Sequence, residues 1–232
     1  DSHFFSYDNA LQQTTITDSL GASRVMTFAV KGDYLSPLSQ SQPAGSGCAA
    51  SSSAYTYDGN GNVASEDDFN GSRVCKAWDL SRNVESVRVE GLSNGAVCSA
   101  LTPTSSVLPA GARKTSSQWH PDWRLEAKVA QPGKLTTKVY NGQPDPFNAN
   151  AVASCAPATA LLPDGKPIVV LCKQVEQATT DASGALGFSA VVQAGVTNRV
   201  QQWTYNEFGQ MLTGKDALNN TTSYLYDRHR RV

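Results

Sequence analysis

The chain has 232 residues, enough for one large all-β domain or two small ones. Charged residues make up 17 % and the net charge is −1, so there is no basic field to hold nucleic acid or an anionic membrane. No stretch approaches the 18 or more apolar residues of a membrane span, and no cationic start leads into an apolar signal segment.

Abundant Gly, Ser, Thr and Asn, with no long helical pattern, point to many short strands joined by turns. The elements follow a repeat. Tyr7-Asp8 leads 21 residues later to Phe28, Tyr57-Asp58 to Trp78-Asp79, Trp119 to Tyr140-Asn141, and Tyr205-Asn206 to Tyr226-Asp227. Fourteen residues into these windows stand Gly21, Gly71, Gly133 and Asn219, types that tolerate positive φ. Three residues earlier come Asp18, Asp68, Ala130 and Asp216. Asp first and Gly fourth is the pattern of a type I turn whose carboxylate bonds backbone amides. In the third window Pro132 favours the turn instead. Windows 7–28, 57–78, 119–140 and 205–226 therefore read as strand, turn, strand. RVMTFAV alternates through Met26, Phe28 and Val30, WRLEAKV through Trp123, Leu125, Ala127 and Val129, and TSYLY through Tyr224 and Tyr226. That period is the mark of half-buried antiparallel strands.

The remaining stretches, 36–54, 91–116 and 141–198, are rich in Ser, Ala, Gly and Pro and read as inserted loops or extra hairpins, with PIVVLCK as a strand in the last. None of the five cysteines lies in a CxxC arrangement that would suggest zinc. Cys155 and Cys172 flank one loop-rich segment and are a candidate disulfide. Cys48 and Cys75 are a second candidate pair, leaving Cys98 over; buried free thiols are the alternative. The first and last residues read as pattern cut mid-stride, so an excerpt of a longer protein is expected.

Chemistry is sparse. Asp58, Asn60 and Asn62 alternate like calcium-loop ligands, but Val63 and Phe69 occupy the places of the required Gly and Glu. The glycines around Gly61 lack the Lys-Ser or Lys-Thr pair of a phosphate loop. His3, His120 and His229 have no evident carboxylate partner. Glu66, Asp67 and Asp68 read as a solvated hairpin end before they read as an acid–base pair. Trp119 and Trp123 are expected in the core rather than stacking on sugar rings. Arg228 to Arg231, RHRR, reads as a solvated face. No catalytic, metal or cofactor site is expected, and no enzyme.

YTYDGNGNVASEDDFNG and WTYNEFGQMLTGKDALNN resemble the YD repeat of Rhs proteins, of the teneurins and of the shell subunits of insecticidal toxin complexes. Gly61 and Gly209 match the first glycine of that repeat, and SSQWHPDWRLEAKVAQPGKLTTKVYN resembles a tryptophan-rich variant of bacterial Rhs proteins. The resemblance covers about half the chain; Leu11 and the residues after Trp119 depart from it. It implies a sheet grown by stacked hairpins and coiled into a hollow, non-catalytic shell that encloses or presents a cargo or toxin segment. Such a protein would be bacterial, secreted or at the cell surface, with neighbouring repeats or identical copies as partners. An extracellular tube or fibre scaffold, and an adhesive module binding glycan or protein, are the other readings.

Overall fold

The computed structural model describes residues 3–31 and 33–227. The RHRR segment and His229 lie outside the described residues. The chain is all-β. Strands β1 (Phe4–Asp8), β2 (Gln13–Thr17), β3 (Ser23–Lys31), β4 (Tyr34–Gln42), β5 (Ser51–Tyr57), β6 (Val63–Asp67), β7 (Ser72–Asp79) and β8 (Val84–Ser93) follow one another. After them come β9 (Arg113–Trp119), β10 (Glu126–Gln131) and β11 (Lys134–Tyr140). A small separate hairpin follows, β12 (Pro144–Asp145) with β13 (Ala151–Val152), and then β14 (Leu171–Ala178), β15 (Arg199–Tyr205), β16 (Met211–Lys215) and β17 (Thr221–Ser223). Apart from β12 and β13, strands hydrogen-bond in chain order in an open antiparallel sheet of 15 strands. No α-helix occurs among the described residues; two short 3-10 turns, Cys98–Ala100 and Gly187–Ser189, are the helical elements.

The chain divides into two compact units. One comprises residues up to Ser116 together with Ala185–Gly187; the other comprises Ser117–Gly184 and the residues from Phe188 onward. In the first unit the core gathers Cys75, Val87, Val89, Leu92, Leu101 and Ala112. Val87 and Val89 obey strand alternation, whereas Leu92 is out of step with them. Gly91 resolves the mismatch: at φ +74° it bulges the strand and returns Leu92 to the inner face. A Cβ on residue 91 would stand 2.9 Å from the Gly111 carbonyl oxygen, so glycine is required twice over. In the second unit Val129, Ala130, Leu135, Val139, Tyr140 and Val175 are buried along β10, β11 and β14.

Each of the four windows holds the end of one strand, a turn, a short strand, a second turn and a third strand. The stretches read as insertions carry strands of their own. β4 and β5 cross most of 36–54, β8 runs on to Ser93, and β14 crosses 171–178, so PIVVLCK contributes only its last residues to a strand.

Two further expectations change. Trp123 and Leu125 are 42 % and 37 % exposed rather than core, because β10 begins only at Glu126. Pro121 has no amide to donate, and residues 120–125 turn back on themselves, with the Leu125 carbonyl accepting from the His120 amide at 2.7 Å. Val30 is likewise exposed, at 58 %.

Candidate functional site

The repeat positions form the most extended arrangement of like groups in the molecule. Each turn is built by one carboxylate or amide. Asp18 Oδ1 accepts the amides of Leu20 and Ala22, both at 2.9 Å, and the Gly21 amide bonds the Asp18 carbonyl. Asp68 does the same for Asn70 and Ser72, and Asp216 for Leu218 and Asn220. Asn219, at φ +69°, takes the place of glycine in the last of these. The turn after β5 has the same geometry: Asp58 Oδ1 accepts from Asn60 and Asn62, and Gly61 stands at φ +83°. Asn206 supplies an amide oxygen to Phe208 and Gln210, with Gly209 at φ +74°. The Asp or Asn that follows Tyr57 and Tyr205 thus closes its own turn. Gly133 differs: its amide bonds the Asp181 carbonyl at 2.7 Å from a later segment.

The three residues with the alternating look of a metal loop are held by one another. Asn60 Nδ2 donates to the Leu80 carbonyl and to Asn83 Oδ1, while Asn62 Nδ2 donates to Asp58 Oδ2 and Asn83 Oδ1. They clasp the turn after β5 to the turn after β7. Among the described residues no group of three or more His, Cys, Asp or Glu side chains is placed to hold a metal ion.

The aromatics share one habit. Tyr57 Oη donates to the Pro37 carbonyl, Trp78 Nε1 to Val63, Tyr140 Oη to Glu126, Tyr205 Oη to Leu171 and Tyr226 Oη to Met211. Each ring lies on the sheet and ties its polar tip to a carbonyl of the preceding strand, a combination open to Tyr and Trp but not to Phe28. Burial pushes the phenols of Tyr57, Tyr140 and Tyr205 above their ordinary range, aided at Tyr57 by Tyr55 and at Tyr140 by Glu126.

Every aromatic at 28, 57, 78, 140 and 205 also sits where the pairing register slips. Leu38, Ala64, Ser86, Cys172 and Leu212 are the extra residues on the partner strands. Tyr7 is paired in register and 71 % exposed. Trp119 ends β9 and lines a recess of about 370 Å³ beside Tyr140.

The cysteines pair as Cys75–Cys98 and Cys155–Cys172, with Cα separations of 5.3 and 5.4 Å. The Cys48–Cys75 pairing gives way, and Cys48 is free and exposed. Cys48 closes a tight turn with Gly45 after β4, whereas Cys75 faces the first unit's core, where the 3-10 turn brings Cys98 to it.

The acidic trio does structural work. Asp67 makes a two-pronged pair with Arg73 at 2.6 and 2.7 Å, Glu66 lies 3.6 Å from Lys76, and Asp68 closes its turn. His120 is 2 % exposed, meets Tyr140 edge-on at 5.6 Å, and accepts from the Asp122 amide at Nδ1. His3 is exposed.

Sequence reasoning passed over Lys114. Only 1 % exposed, its ammonium donates to the carbonyls of Pro103, Ser105 and Ala185. The missed signal is alternation: RKTSSQW places Lys114 in phase with Ser116, both facing inward.

An open antiparallel sheet grown in chain order, with closing aromatics at register slips and Asx-built turns, is a hairpin-repeat architecture. The same fold occurs in a crystal structure of TcdB2-TccC3 without its hypervariable C-terminal region: 12 % identity, TM-score 0.51, over 92 % of this chain and 9 % of that one. A crystal structure of TcdB2-TccC3-Cdc42 aligns at 11 % identity and TM-score 0.45, over 97 % of this chain and 11 % of that one. A Photorhabdus luminescens Tc holotoxin pore structure carrying a TccC3 mutation aligns at 12 % identity and TM-score 0.34, over 96 % of this chain and 11 % of that one. The chain thus spans about a tenth of these proteins. No family model and no curated protein matches it. No helix among the described residues is long and apolar enough to cross a membrane.

Proposed function

We propose that this chain is a non-catalytic segment of a YD-repeat shell of the Rhs type, part of a toxin assembly in which the sheet encloses or presents a polypeptide. The observation that carries this reading is the repeated unit itself. A turn-building Asp or Asn directly follows an aromatic whose tip is tied to the preceding strand, and the unit recurs with the spacing of the YD repeat. Such a unit adds strands one after another, and its polar atoms are bonded to turn amides and strand carbonyls. The shared fold with TcdB2-TccC3 supports a place in a toxin complex. Two disulfides support an oxidising compartment, at the cell surface or outside it.

A surface tube or fibre is the second reading. The sheet itself is compatible with it, since each strand pairs only with the strands before and after it and the same stacking would build a tube. Electron microscopy of the native full-length parent protein separates the two. Closed hollow particles with internal density support the shell; open tubes of undefined length support the scaffold; small solid monomers refute both.

A further inference from the structure

Asn-Gly pairs occur in the chain at 60–61, 70–71, 94–95 and 141–142. This dipeptide carries its own chemistry. The glycine amide nitrogen can attack the asparagine side-chain carbonyl carbon, because no Cβ on the second residue screens the approach. The new N–Cγ bond forms, the Cγ–Nδ2 bond breaks, and ammonia leaves with the proton given up by the amide. The cyclic succinimide that remains takes up water. Opening at Cγ leaves aspartate; opening at the main-chain carbonyl leaves isoaspartate, with the chain rerouted through the side-chain carbon. Water is the one co-reactant. The fold decides which pair reacts, by holding or releasing the nitrogen and the side chain.

Three of the pairs are held. The Gly61 amide donates to the Asp58 carbonyl at 3.2 Å, and Asn60 Nδ2 donates to the Leu80 carbonyl and to Asn83 Oδ1. The Gly71 amide donates to the Asp68 carbonyl at 3.1 Å, in the turn after β6. The Gly142 amide donates to the Ala153 carbonyl at 2.8 Å. Its neighbour Asn141 is buried, donating to the Ile168 carbonyl and accepting from the Cys155 amide. All three glycines are fixed in the left-handed region, at φ +83°, +78° and +81°.

Gly95 differs in each respect. It lies outside the left-handed region, and a Cβ there would meet nothing within 4 Å. Asn94 and Gly95 are both exposed, in a turn closed by the Ala96 amide on the Ser93 carbonyl at 2.9 Å. Among the described residues neither the Gly95 amide nor the Asn94 side chain makes a hydrogen bond. The nucleophile therefore faces solvent, and its target is free to swing toward it. We propose that Asn94 is a site of spontaneous deamidation, converting in the folded protein while Asn60, Asn70 and Asn141 stay intact. The turn it occupies is an anchor. The Asn94 amide donates to the Gly71 carbonyl at 3.1 Å, and Arg73 Nη1 to the Ala96 carbonyl at 2.6 Å. Isoaspartate adds a backbone atom and a negative charge between these two ties. The proposal does not depend on the shell reading, and its failure would leave that reading untouched.

The test incubates the full chain in mildly alkaline buffer, digests samples under acid conditions, and follows each Asn-Gly pair by mass spectrometry with electron-transfer fragmentation, which tells isoaspartate from aspartate. Asn94 is expected to convert at least tenfold faster than the other three. Unfolding in urea with reductant should bring the four rates together, since the dipeptide is the same in each. Gly95→Ala suits the backbone and the open space at this position, and near-UV circular dichroism should show its fold unchanged. It should slow conversion of Asn94 at least fivefold. An Asn94 that converts no faster than Asn70 in the folded chain would overturn the proposal. So would a preference for Asn94 that persists in urea, or a folded Gly95→Ala protein that converts at the parent's rate.

Discussion

Replacing Cys98 by Ser tests how the first unit is held together. Residues 94–112 contribute Leu101 and Ala112 to a core otherwise built from β7 and β8. Apart from the Asn94 amide, which donates to the Gly71 carbonyl, the backbone bonds of this stretch are short-range turns, such as Ala96 to Ser93, Ala100 to Val97 and Ser105 to Thr102, so little ladder pairing secures it. The link from Cys98 to Cys75 does. It spans a sequence separation of 23, for which loop-closure entropy in the unfolded chain gives about 3.4 kcal/mol at 25 °C. The Cys155–Cys172 link, at a separation of 17, gives about 3.1 kcal/mol on the same basis.

Urea unfolding without reductant, followed by the fluorescence of Trp78, should show Cys98→Ser less stable by about 3 kcal/mol. Limited proteolysis should move to the 94–112 stretch. Cys48→Ser, at an exposed free thiol, should stay within about 0.5 kcal/mol of the parent. Reductant should then lower the parent and the Cys48 variant by the same amount. A Cys98→Ser protein as stable as the parent, or a mapped disulfide joining Cys48 to Cys75 in the parent, would refute the reasoning.

Other substitutions probe different layers. Lys114→Met keeps the buried stem but strands the carbonyls of Pro103, Ser105 and Ala185, and thermal unfolding should register a loss of about 2–4 kcal/mol. Tyr205→Phe should cost about 1 kcal/mol at neutral pH by removing the bond to the Leu171 carbonyl. Burial raises the Tyr205 phenol above its ordinary value of 10.0, so the fold favours the neutral form. That stabilisation is complete below pH 10 and is lost as pH rises through the raised value; alkaline unfolding of Tyr205→Phe should accordingly depend less on pH than that of the parent. The Asn220 side chain, then the Asn220 and Leu218 amides, hold Asp216 below its ordinary 3.8. Its contribution to the turn is present above pH 3.8 and lost as pH falls through the lowered value, so carboxyl NMR should find a midpoint below 3.8 that rises in Asn220→Ala.

The parts of this fold that are local in sequence were legible in it. An Asx-built turn needs only five consecutive residues, so Asp18, Asp68 and Asp216 announce their turns without any partner strand. The pairing of cysteines and the burial of Lys114 are set by which segments fold over which, and no short window carries that. Trp123 was misplaced for a related reason: the alternation in WRLEAKV is real, but the turn closed by the His120 amide on the Leu125 carbonyl delays the strand to Glu126.

The register slips at the aromatics lie between these extremes, and their signal is present beside each ring. Thr27, Thr56 and Thr204 each precede a repeat aromatic, and their hydroxyls meet Ser39, Ser65 and Thr213 on the neighbouring strand at 2.6 Å. In the two units with the short turn the partner lies nine residues on, in Thr56–Ser65 and Thr204–Thr213 alike. With that hydroxyl pair aligned, regular antiparallel pairing would set Tyr57 opposite Ala64 and Tyr205 opposite Leu212; instead each meets the residue one step earlier, Val63 or Met211. The slip leaves one residue unpaired, and on the far side of it the ring's hydroxyl bonds a carbonyl of the strand before. A threonine before the aromatic and a hydroxyl nine residues later therefore mark the register of the hairpin, as the aspartate marks its turn.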